Sequence, residues 1–227
     1  VVLFGFVSMN MRVVFSVDAG GKIDLFTQKE PYDGKGPNAT SDAFGPGDEV
    51  RIFALVTYNG YPVQGMPVAF EVRGPENTVE NFTFWRTAVT NETGIATIDF
   101  VISYINETTF GRWRAIGNVK IADVVSQDSI FFKVGWIVEI VSVKTINQQY
   151  EVEENFPRDN YMGVELVVRN IAMSEKEATL TIAIHDCLGS FLNSTKIENF
   201  VVPPNETLVR AYAFLYIPKN AHIGEAI

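Results

Sequence analysis

Apolar and polar residues alternate along most of this chain, in short runs separated by turn-forming residues. The run 67–73 places Val68, Phe70 and Val72 on one side, and the run 178–184 is apolar at every second position. A period of two is the pattern of a β-strand with one buried face, whereas a helix repeats every 3.6 residues. Gly, Pro, Asn and Asp cluster between the runs and predict turns. The chain is therefore predicted to be built from β-strands.

Two series of such runs follow each other. About seven strands are predicted in the first series, at 22–28, 49–58, 67–73, 82–90, 95–103, 111–117 and 129–134. After Gly135-Trp136, a second series is predicted at 138–144, 163–170, 178–184, 197–202 and 207–217, with an acidic interval without strands at 150–160. Series of this length are typical of β-sandwiches. We predict an all-β fold of two tandem sandwich domains, 22–135 and 136–227, preceded by an apolar segment, 1–21.

Residues 1–18 begin with an apolar run and then alternate. One side of the alternation collects Met9, Met11, Val13, Phe15 and Val17. The segment could be the remainder of a secretory signal, since residues 16–19 form an acceptable cleavage region, although Arg12 weakens this interpretation. It is too short and too interrupted for a membrane-spanning helix, which needs about 20 apolar residues. The third interpretation is a β-strand that pairs outside its own domain.

Composition narrows the class of protein. The 227 residues are 47% hydrophobic, which allows one or two buried cores and excludes a disordered chain. The formal net charge is −9, and Lys and Arg are scattered, which argues against a nucleic-acid-binding protein because such proteins need a basic surface. The single cysteine, Cys187, excludes an intramolecular disulfide, so the cores must be held by apolar packing alone.

Six acceptor sequences for N-linked glycosylation occur, at Asn38, Asn81, Asn91, Asn106, Asn193 and Asn205. About two would be expected by chance at ordinary composition. Turns rich in Asn and Thr produce such sequences by accident, so any one of them can be coincidental. As a set they favour a glycosylated protein outside the cell, and glycans without disulfides favour an archaeal surface protein.

The first half contains four motifs: Pro46-Gly47-Asp48-Glu49-Val50, Pro62-Val63-Gln64-Gly65-Met66-Pro67-Val68, the stretch 90–97 with Gly94, and Gly111-Arg112-Trp113. With these motifs it resembles the macroglobulin-type and invasin-type immunoglobulin-like domains of extracellular proteins. The resemblance implies an immunoglobulin-like sandwich in an extracellular setting, and it implies no activity. The thioester motif of the complement-like members is absent from the sequence.

The second half contains Val167-Val168-Arg169-Asn170 after the acidic interval, Asp186 before Gly189, Pro203-Pro204-Asn205-Glu206-Thr207, and Ile217-Pro218 followed by Ala221 and Gly224. With these residues it resembles the CARDB group of cell-adhesion-related sandwich domains. CARDB domains usually continue past that last glycine into one more strand. The resemblance therefore implies a sandwich that lacks its final strand within this sequence.

Few residues offer catalytic chemistry. His185-Asp186-Cys187 holds a base and a nucleophile at alternate positions, which share a face on a strand. However, His185 falls on the polar side of its run and 186–189 is typical of a turn, and no orienting group or pocket is indicated. His222 lacks the spacing of a zinc-ligand set. We predict no catalytic residue, no metal centre and no enzymatic activity.

Two acidic sets could offer oxygen ligands to calcium. One is Glu151, Glu153 and Glu154 with Asp159 and Asn160, and the weaker one is Asp33, Asp42 and Asp48 in the first long loop. Neither has the spacing of an EF-hand, and solvated acidic loops are the usual alternative.

Aromatic residues are a further signal. Exposed rings at Tyr58, Tyr61, Phe82, Trp85, Tyr212 and Tyr216 could form a sugar-stacking platform. Aromatic residues also favour strands for packing reasons alone, which is the competing interpretation.

Together these observations predict a non-enzymatic extracellular structural glycoprotein at the cell surface or in a filament. No cofactor other than N-linked glycans is predicted. Expected partners are further copies of the chain, bound head to tail, or other surface proteins, with no nucleic acid and no membrane span within the domains. The alternative function is an adhesive or carbohydrate-binding module of a larger secreted or surface protein.

The N-terminal segment and the second domain are predicted to complement each other. A sandwich without its final strand exposes backbone groups and apolar surface in a groove. The strand carrying Met9, Met11, Val13, Phe15 and Val17 could fill that groove in another copy, and repetition of this contact builds a filament. The alternative interpretation is the remainder of a signal peptide at the N-terminal end and a truncated sequence at the C-terminal end, with no strand exchange.

Overall fold

The computed structural model describes residues 20–75, 82–102, 107–222 and 224. In these residues the regular structure is strand, apart from one 3₁₀ turn at Glu107–Thr109. The strands are β1 (Gly21–Thr27), β2 (Glu49–Tyr58), β3 (Tyr61–Pro62), β4 (Pro67–Arg73), β5 (Thr83–Val89), β6 (Ile95–Val101), β7 (Gly111–Ile121), β8 (Val124–Val134), β9 (Val138–Ile146), β10 (Asn160–Asn170), β11 (Lys176–His185), β12 (Phe191–Val202) and β13 (Leu208–Ile217). The prediction of an all-β fold is confirmed.

The first eight strands form two antiparallel sheets. In one sheet, β2 pairs with β1 along one edge and with β6 and the short β3 along the other. The order of the second sheet is β5, β4, β7, β8. The chain before β2 adds to β8 in parallel orientation, through bridges from Thr40 to Phe131 and from Phe44 to Val134.

The apolar residues of each alternating run point into this sandwich, and the polar residues between them point to solvent. The inward residues of β2 are fully buried, namely Val50, Ile52, Ala54 and Val56. Trp113 is stacked with Phe100 and Phe132, with ring centroids 6.0 Å apart in both pairs. Its indole Nε1 donates a hydrogen bond of 2.8 Å to the carbonyl of Thr109. The buried indole N–H is therefore satisfied, as a buried polar group requires.

The last five strands form a smaller sandwich. A three-stranded sheet with the order β13, β10, β9 packs against a sheet of β11 and β12. The two sheets share a core of Val164, Leu166, Val168, Leu180, Ile184, Val202, Ala211, Ala213 and Leu215. This cluster has no residue in common with the core of the first eight strands.

A third, small cluster joins the two sandwiches. Ala43 from the first packs with Ile171 and Ala172 from the turn between β10 and β11, and Ile137 lies against them. An ion pair also crosses this junction, because Nζ of Lys133 on β8 lies 2.7 Å from Oε1 of Glu206 in the turn before β13. Division into independent domains at 135/136 stays a prediction.

Several strand bounds differ from the predicted ones for local reasons. β7 and β8 are longer than predicted because a two-residue turn of Ala122 and Asp123 joins them, with φ of 47° and 68°. Positive φ at both positions is typical of a type I′ hairpin turn, which Gly or Asn usually marks in a sequence. β12 begins at Phe191 and not at 197, because Asn193 and Ser194 pair with β11 although they interrupt the apolar alternation.

Candidate assembly site

The candidate site is the uncovered side of the second sandwich. β9 pairs with β10 so that Val143 lies opposite Leu166 and Ile140 lies opposite Val168. Directly opposite residues of neighbouring strands point to the same face of a sheet. Val143 and Ile140 therefore point to the same side as the core residues of β10.

These two side chains are nevertheless exposed. Ile140 is 56% exposed and Val143 is 59% exposed, whereas Leu166 is 4% exposed and Val168 is fully buried. Isolated exposed apolar residues are ordinary on a protein surface. Two exposed apolar residues on the inner face of a sandwich show that no second layer covers this part of the core. Around Ile140 and Val143 the inner face of β9 thus lacks the cover that β10 has, whereas Val138 at the start of the strand packs against the core.

The cause is the width of the opposing sheet. β12 is tied to β13, because the side-chain Nδ2 of Asn193 donates a hydrogen bond of 3.2 Å to the carbonyl of Tyr216. The two strands of that sheet therefore cover β13 and β10, and among the described strands none lies over β9. In the same described residues β11 pairs with β12 alone, so its second edge offers backbone donors and acceptors. An uncovered apolar face beside an open strand edge can accept one added strand.

His222 lies beside the end of β11. Its Nδ1 lies 2.6 Å from Oδ2 of Asp186, the buried residue that follows β11. The other oxygen of Asp186 accepts the amides of Leu188 at 3.0 Å and Ser190 at 2.9 Å. The hydrogen bond from His222, followed by these amide bonds, lowers the pKa of Asp186 to about 2. Sequence analysis found no partner for His222, because the two residues meet only after the chain has folded back.

The predicted absence of a catalytic arrangement at 185–187 is not tested by the fold. Asp186 closes a turn, accepting the amide of Gly189 on its backbone carbonyl at 2.8 Å, as predicted for 186–189. His185 packs edge to face on Phe191, with centroids 5.8 Å apart. Cys187 is exposed.

Three described glycosylation candidates are exposed: Asn38, Asn91 and Asn205. Asn91 caps the turn between β5 and β6, and its Oδ1 accepts bonds from Thr93 and Ile95. Asn193 differs, because it is half-buried and its Nδ2, the atom that a glycan would modify, is bonded to the carbonyl of Tyr216. Asn81, Asn106 and the predicted strand-exchange residues Met9, Met11, Val13, Phe15 and Val17 lie outside the described residues. Glycosylation stays a prediction.

The acidic residues considered for calcium serve local hydrogen bonds. Asp42 and Asp48 accept the backbone amides of Ala43 and Gly45, and Asp33 pairs with Lys35. In the 150–160 interval, Glu151 accepts a hydrogen bond from the side chain of Asn147, and Glu153 accepts the backbone amides of the next two residues. Asp159 forms an ion pair with Lys219, and the side chain of Asn160 accepts the amide of Tyr161. Glu154 is exposed. The described residues contain no group of three or more His, Cys, Asp or Glu that could hold a metal ion.

The aromatic candidates divide between the two sandwiches. Tyr58, Tyr61 and Trp85 are exposed on the first, where Phe82 packs against the core. Tyr212 and Tyr216 lie on the outer face of the three-stranded sheet of the second, beside three aromatic residues that the sequence did not single out: Tyr150, Tyr161 and Phe214.

Comparison with known proteins finds similarity at the level of fold. No protein-family model and no curated protein matches the sequence. Among solved structures, Escherichia coli alpha-2-macroglobulin activated by porcine elastase matches 91% of this chain with 11% identity and a TM-score of 0.40. Salmonella alpha-2-macroglobulin matches 85% with 12% identity and a TM-score of 0.37, and the sporulation control protein Spo0M of Bacillus subtilis matches 86% with 14% identity and a TM-score of 0.28.

The chain spans 20% of the length of the Escherichia coli protein, 14% of the Salmonella protein and 91% of Spo0M. The resemblance of the first half to macroglobulin-type and invasin-type domains stays a prediction. The resemblance of the second half to CARDB domains stays a prediction. The described residues include no helix of the length and apolarity that a membrane span requires.

Proposed function

We propose that this chain is a non-enzymatic extracellular structural protein whose copies join head to tail by exchange of one strand. In this proposal residues 1–18 of one copy lie along β11 of the next and cover the inner face of β9. The observation that carries it is the exposure of Ile140 and Val143 on the side of β9 that faces the core.

The N-terminal segment has the chemistry that the open side needs. An added strand gains main-chain hydrogen bonds from the free edge of β11, each worth about 0.5–1.5 kcal/mol net. Its alternate side chains point inward, where Met9, Met11, Val13, Phe15 and Val17 supply apolar surface. Covering Ile140 or Val143 fully adds up to about 1.5–3 kcal/mol for each side chain. Strand addition thus satisfies both deficits of the open side.

Exchange of this kind produces a linear assembly. The donating segment and the accepting edge are different surfaces of one chain, so the contact is heterologous, and it extends into a filament when the rotation between copies does not close a ring. The join between the sandwiches through Ala43, Ile171 and Ala172 supports transmission of one orientation from copy to copy. A filament is the expected product.

The extracellular location and the absence of enzymatic activity are part of the same proposal. Exposure of Asn38, Asn91 and Asn205 supports a surface carrying glycans. Calcium is not required by the proposal, because the acidic candidates already serve local bonds. The proposal includes an archaeal source, because the chain combines six acceptor sequences for N-linked glycosylation with a single cysteine.

A cross-linking experiment tests the exchange directly. In a Cys187→Ser background, Arg12→Cys, Val14→Cys and Ser16→Cys place a thiol on the outward parity of the donor strand, and Thr181→Cys places one on the exposed side of β11. Donor and acceptor variants are mixed, refolded together from denaturant and oxidised. At least one pair should give a disulfide-linked dimer, whereas Thr87→Cys on β5, which is also exposed, should give none with any donor.

Two cross-linking results would overturn the proposal. One is the absence of cross-links for all three pairs although the mixture assembles by sedimentation. The other is a monomeric cross-link at high dilution in a chain carrying both thiols, which would place the segment in its own sandwich. Intact mass of native material that lacks 1–18 would support the signal-remnant interpretation and also end the proposal.

The adhesive or carbohydrate-binding alternative is favoured by one feature, the aromatic outer face of the second sandwich. That face is independent of the open side, because its residues point away from the core.

A further inference from the structure

The outer face of the three-stranded sheet carries a concentration of aromatic rings. On β10 and β13, Tyr161 lies opposite Tyr216, Gly163 opposite Phe214 and Glu165 opposite Tyr212. These positions alternate with the buried residues of both strands, so their side chains leave the sheet on the solvent side. The turn between β9 and β10 contributes Tyr150 to the same face, at 5.3 Å from Tyr212 and 5.7 Å from Phe214 between ring centroids.

A glycine fixes the position of Phe214. A Cβ at Gly163 would lie 2.7 Å from Cε1 of Phe214 and 2.6 Å from Cγ1 of Ile146. Real side chains do not approach this closely, so the phenyl ring occupies the space that only glycine leaves open on β10. Phe214 therefore lies across the strand and presents ring surface between Tyr150 and Tyr161.

Tyr150 is held in an unusual backbone conformation. Its φ is 63°, a left-handed value that a bulky residue rarely adopts. Asn147 closes the turn around it, because its Oδ1 accepts the amides of Gln149 and Glu151 and its carbonyl accepts the amide of Tyr150 at 3.0 Å. The ring stands almost perpendicular to Phe214, at 84°, and is 61% exposed. Strain of this kind is retained where the surroundings impose it, frequently at binding sites.

The rings enclose a small pocket. Gln148, Tyr150, Tyr161 and Phe214 line an open concavity of about 220 Å³. Pockets for drug-sized ligands begin at about 300 Å³. The space thus accommodates one or two small rings, and its wall combines three aromatic faces with one side-chain amide and two phenol groups.

We infer that this pocket binds a neutral carbohydrate. The C–H groups on one side of a pyranose ring form an apolar, weakly positive face, which is attracted to the negative face of an aromatic ring. Its hydroxyl groups need donors and acceptors at the edge of that ring, which Gln148 and the two tyrosine hydroxyls provide. This combination suits a sugar better than a hydrocarbon side chain, which would leave the amide and phenols unpaired.

Charge narrows the class of sugar. Around the pocket, Glu165 is paired with Arg210 at 3.6 Å and Asp159 with Lys219 at 3.0 Å. Lys144, which lies opposite Glu165 on β9, adds one exposed cation to this face. The whole chain carries −9. Uronic and sialic acids would be repelled at long range, and we therefore assign neutral hexose or N-acetylhexosamine units of a surface glycan.

Binding is measured on the full unglycosylated chain with five soluble probes, namely maltohexaose, cellohexaose, laminarihexaose, mannohexaose and chitohexaose, by isothermal titration and tyrosine fluorescence. At least one probe should bind. Tyr161→Ala should weaken that binding about tenfold, as expected for the loss of one stacked ring, while Tyr161→Phe should retain most of it. Tyr61→Ala on β3, which removes a more exposed ring from the first sandwich, should leave binding unchanged.

Tyr150→Gly separates binding from folding. Glycine adopts positive φ without cost, so this variant should unfold at the same temperature as the unsubstituted chain or higher, and yet lose about tenfold in affinity. Strand-exchange cross-linking should be unaffected, because the pocket is on the outer face, so failure here and failure of the proposed assembly are distinguishable.

Three outcomes overturn the inference: none of the five probes binds, binding survives unchanged in both Tyr161→Ala and Tyr150→Gly, or the sedimentation of the full chain shifts to smaller species in Tyr161→Ala with no effect on any sugar. The last result would assign the aromatic face to a contact between copies of the chain.

Discussion

The carboxylate of Asp42 accepts a hydrogen bond from the backbone amide of Met173, with 2.7 Å between Oδ1 and N, although 131 positions separate the two residues. The same oxygen accepts the amide of Ala43 at 2.7 Å, and Asp42 is buried. One carboxylate of the first sandwich therefore satisfies an amide in the β10–β11 turn of the second. A buried amide without such an acceptor costs free energy, so this bond favours the packed junction.

Asp42→Ala is predicted to loosen that junction. The buried amide of Ala43 and the partly buried amide of Met173 lose their acceptor, which should lower the free energy of unfolding by about 1–3 kcal/mol. Chemical denaturation measures the change, and limited proteolysis around 135–137 reports whether the junction opens. Asp42→Asn keeps an acceptor oxygen and should cost less. Equal damage from both variants would mean that charge, and not the hydrogen bond to Met173, holds the junction.

Gly163→Ala is predicted to destabilise the second sandwich by about 1–3 kcal/mol, the usual cost of overpacking. The new Cβ would meet the side chain and the carbonyl of Ile146 at 2.6 and 2.9 Å as well as Phe214, and a strand backbone cannot withdraw as a side chain can. Gly45→Ala is the matched control, because its nearest neighbours would be 3.8 Å away, an ordinary contact. Thermal unfolding of both variants is the measurement, and similar melting temperatures would contradict the packing argument.

Sequence pattern predicted the strands better than the relations among them. Glu49–Tyr58 and Pro67–Arg73 were predicted to the residue, because strong alternation in both is bounded by Gly, Pro and Asn. The hairpin turn at Ala122 and Asp123 was not predicted, since a single Asp beside Ala is a weak turn signal and neighbouring pairs impose their positive φ. Apolar alternation and turn-forming residues thus predict strand bounds correctly, except where the pairing of neighbouring strands imposes a turn that the local sequence does not favour.

The candidate site shows the same limit. An open side could be anticipated from the resemblance of the second half, but its location depends on which face of β9 is left uncovered, and a bulge between Val167 and Val168 helps to set that face. The contact of His222 with Asp186 joins residues 36 positions apart and has no sequence signature. Tyr150 would not be chosen from sequence for a position with positive φ.

Asp186 predicts a specific acid dependence of stability. Its folded pKa is about 2, below the ordinary value of 3.8, chiefly because of the hydrogen bond from His222. A depressed carboxyl pKa contributes stability that is fully present above the unfolded pKa and is lost as the pH falls through the folded one. The difference in unfolding free energy between the unsubstituted chain and Asp186→Asn should therefore be constant above about pH 4 and decrease between about pH 4 and 2.

Denaturant titrations from pH 1.5 to 6 measure that difference. Glu177→Gln, on the exposed side of β11, is the control and should show no comparable loss in this window. A difference that does not change with pH would mean that Asp186 acts through the shape of its turn and not through its charge.

Glycan occupancy is predicted to differ among the acceptor sites. Asn91 and Asn205 are exposed in turns and should be modified in native material, whereas Asn193 should not, because its Nδ2 is half-buried and bonded to the carbonyl of Tyr216. Peptide mapping by mass spectrometry measures each site, with Asn91→Gln as the control for assignment. Full occupancy of Asn193 would show that β12 and β13 separate at that end before or after modification.

One pair of opposite residues tests the uncovered side by stability alone. Leu166 and Val143 share a face on neighbouring strands, yet only Leu166 is buried. Leu166→Ala should cost about 2–5 kcal/mol in the isolated chain, as for other buried leucines, whereas Val143→Ala should cost only a few tenths, since little surface is removed from water there. Denaturant unfolding of a non-assembling form lacking 1–18 gives both values. In the assembled protein Val143→Ala should lower the stability clearly, because the added strand covers that side chain. A loss of more than about 1 kcal/mol in the unfolding free energy of the isolated form would instead show that Val143 is covered within its own chain.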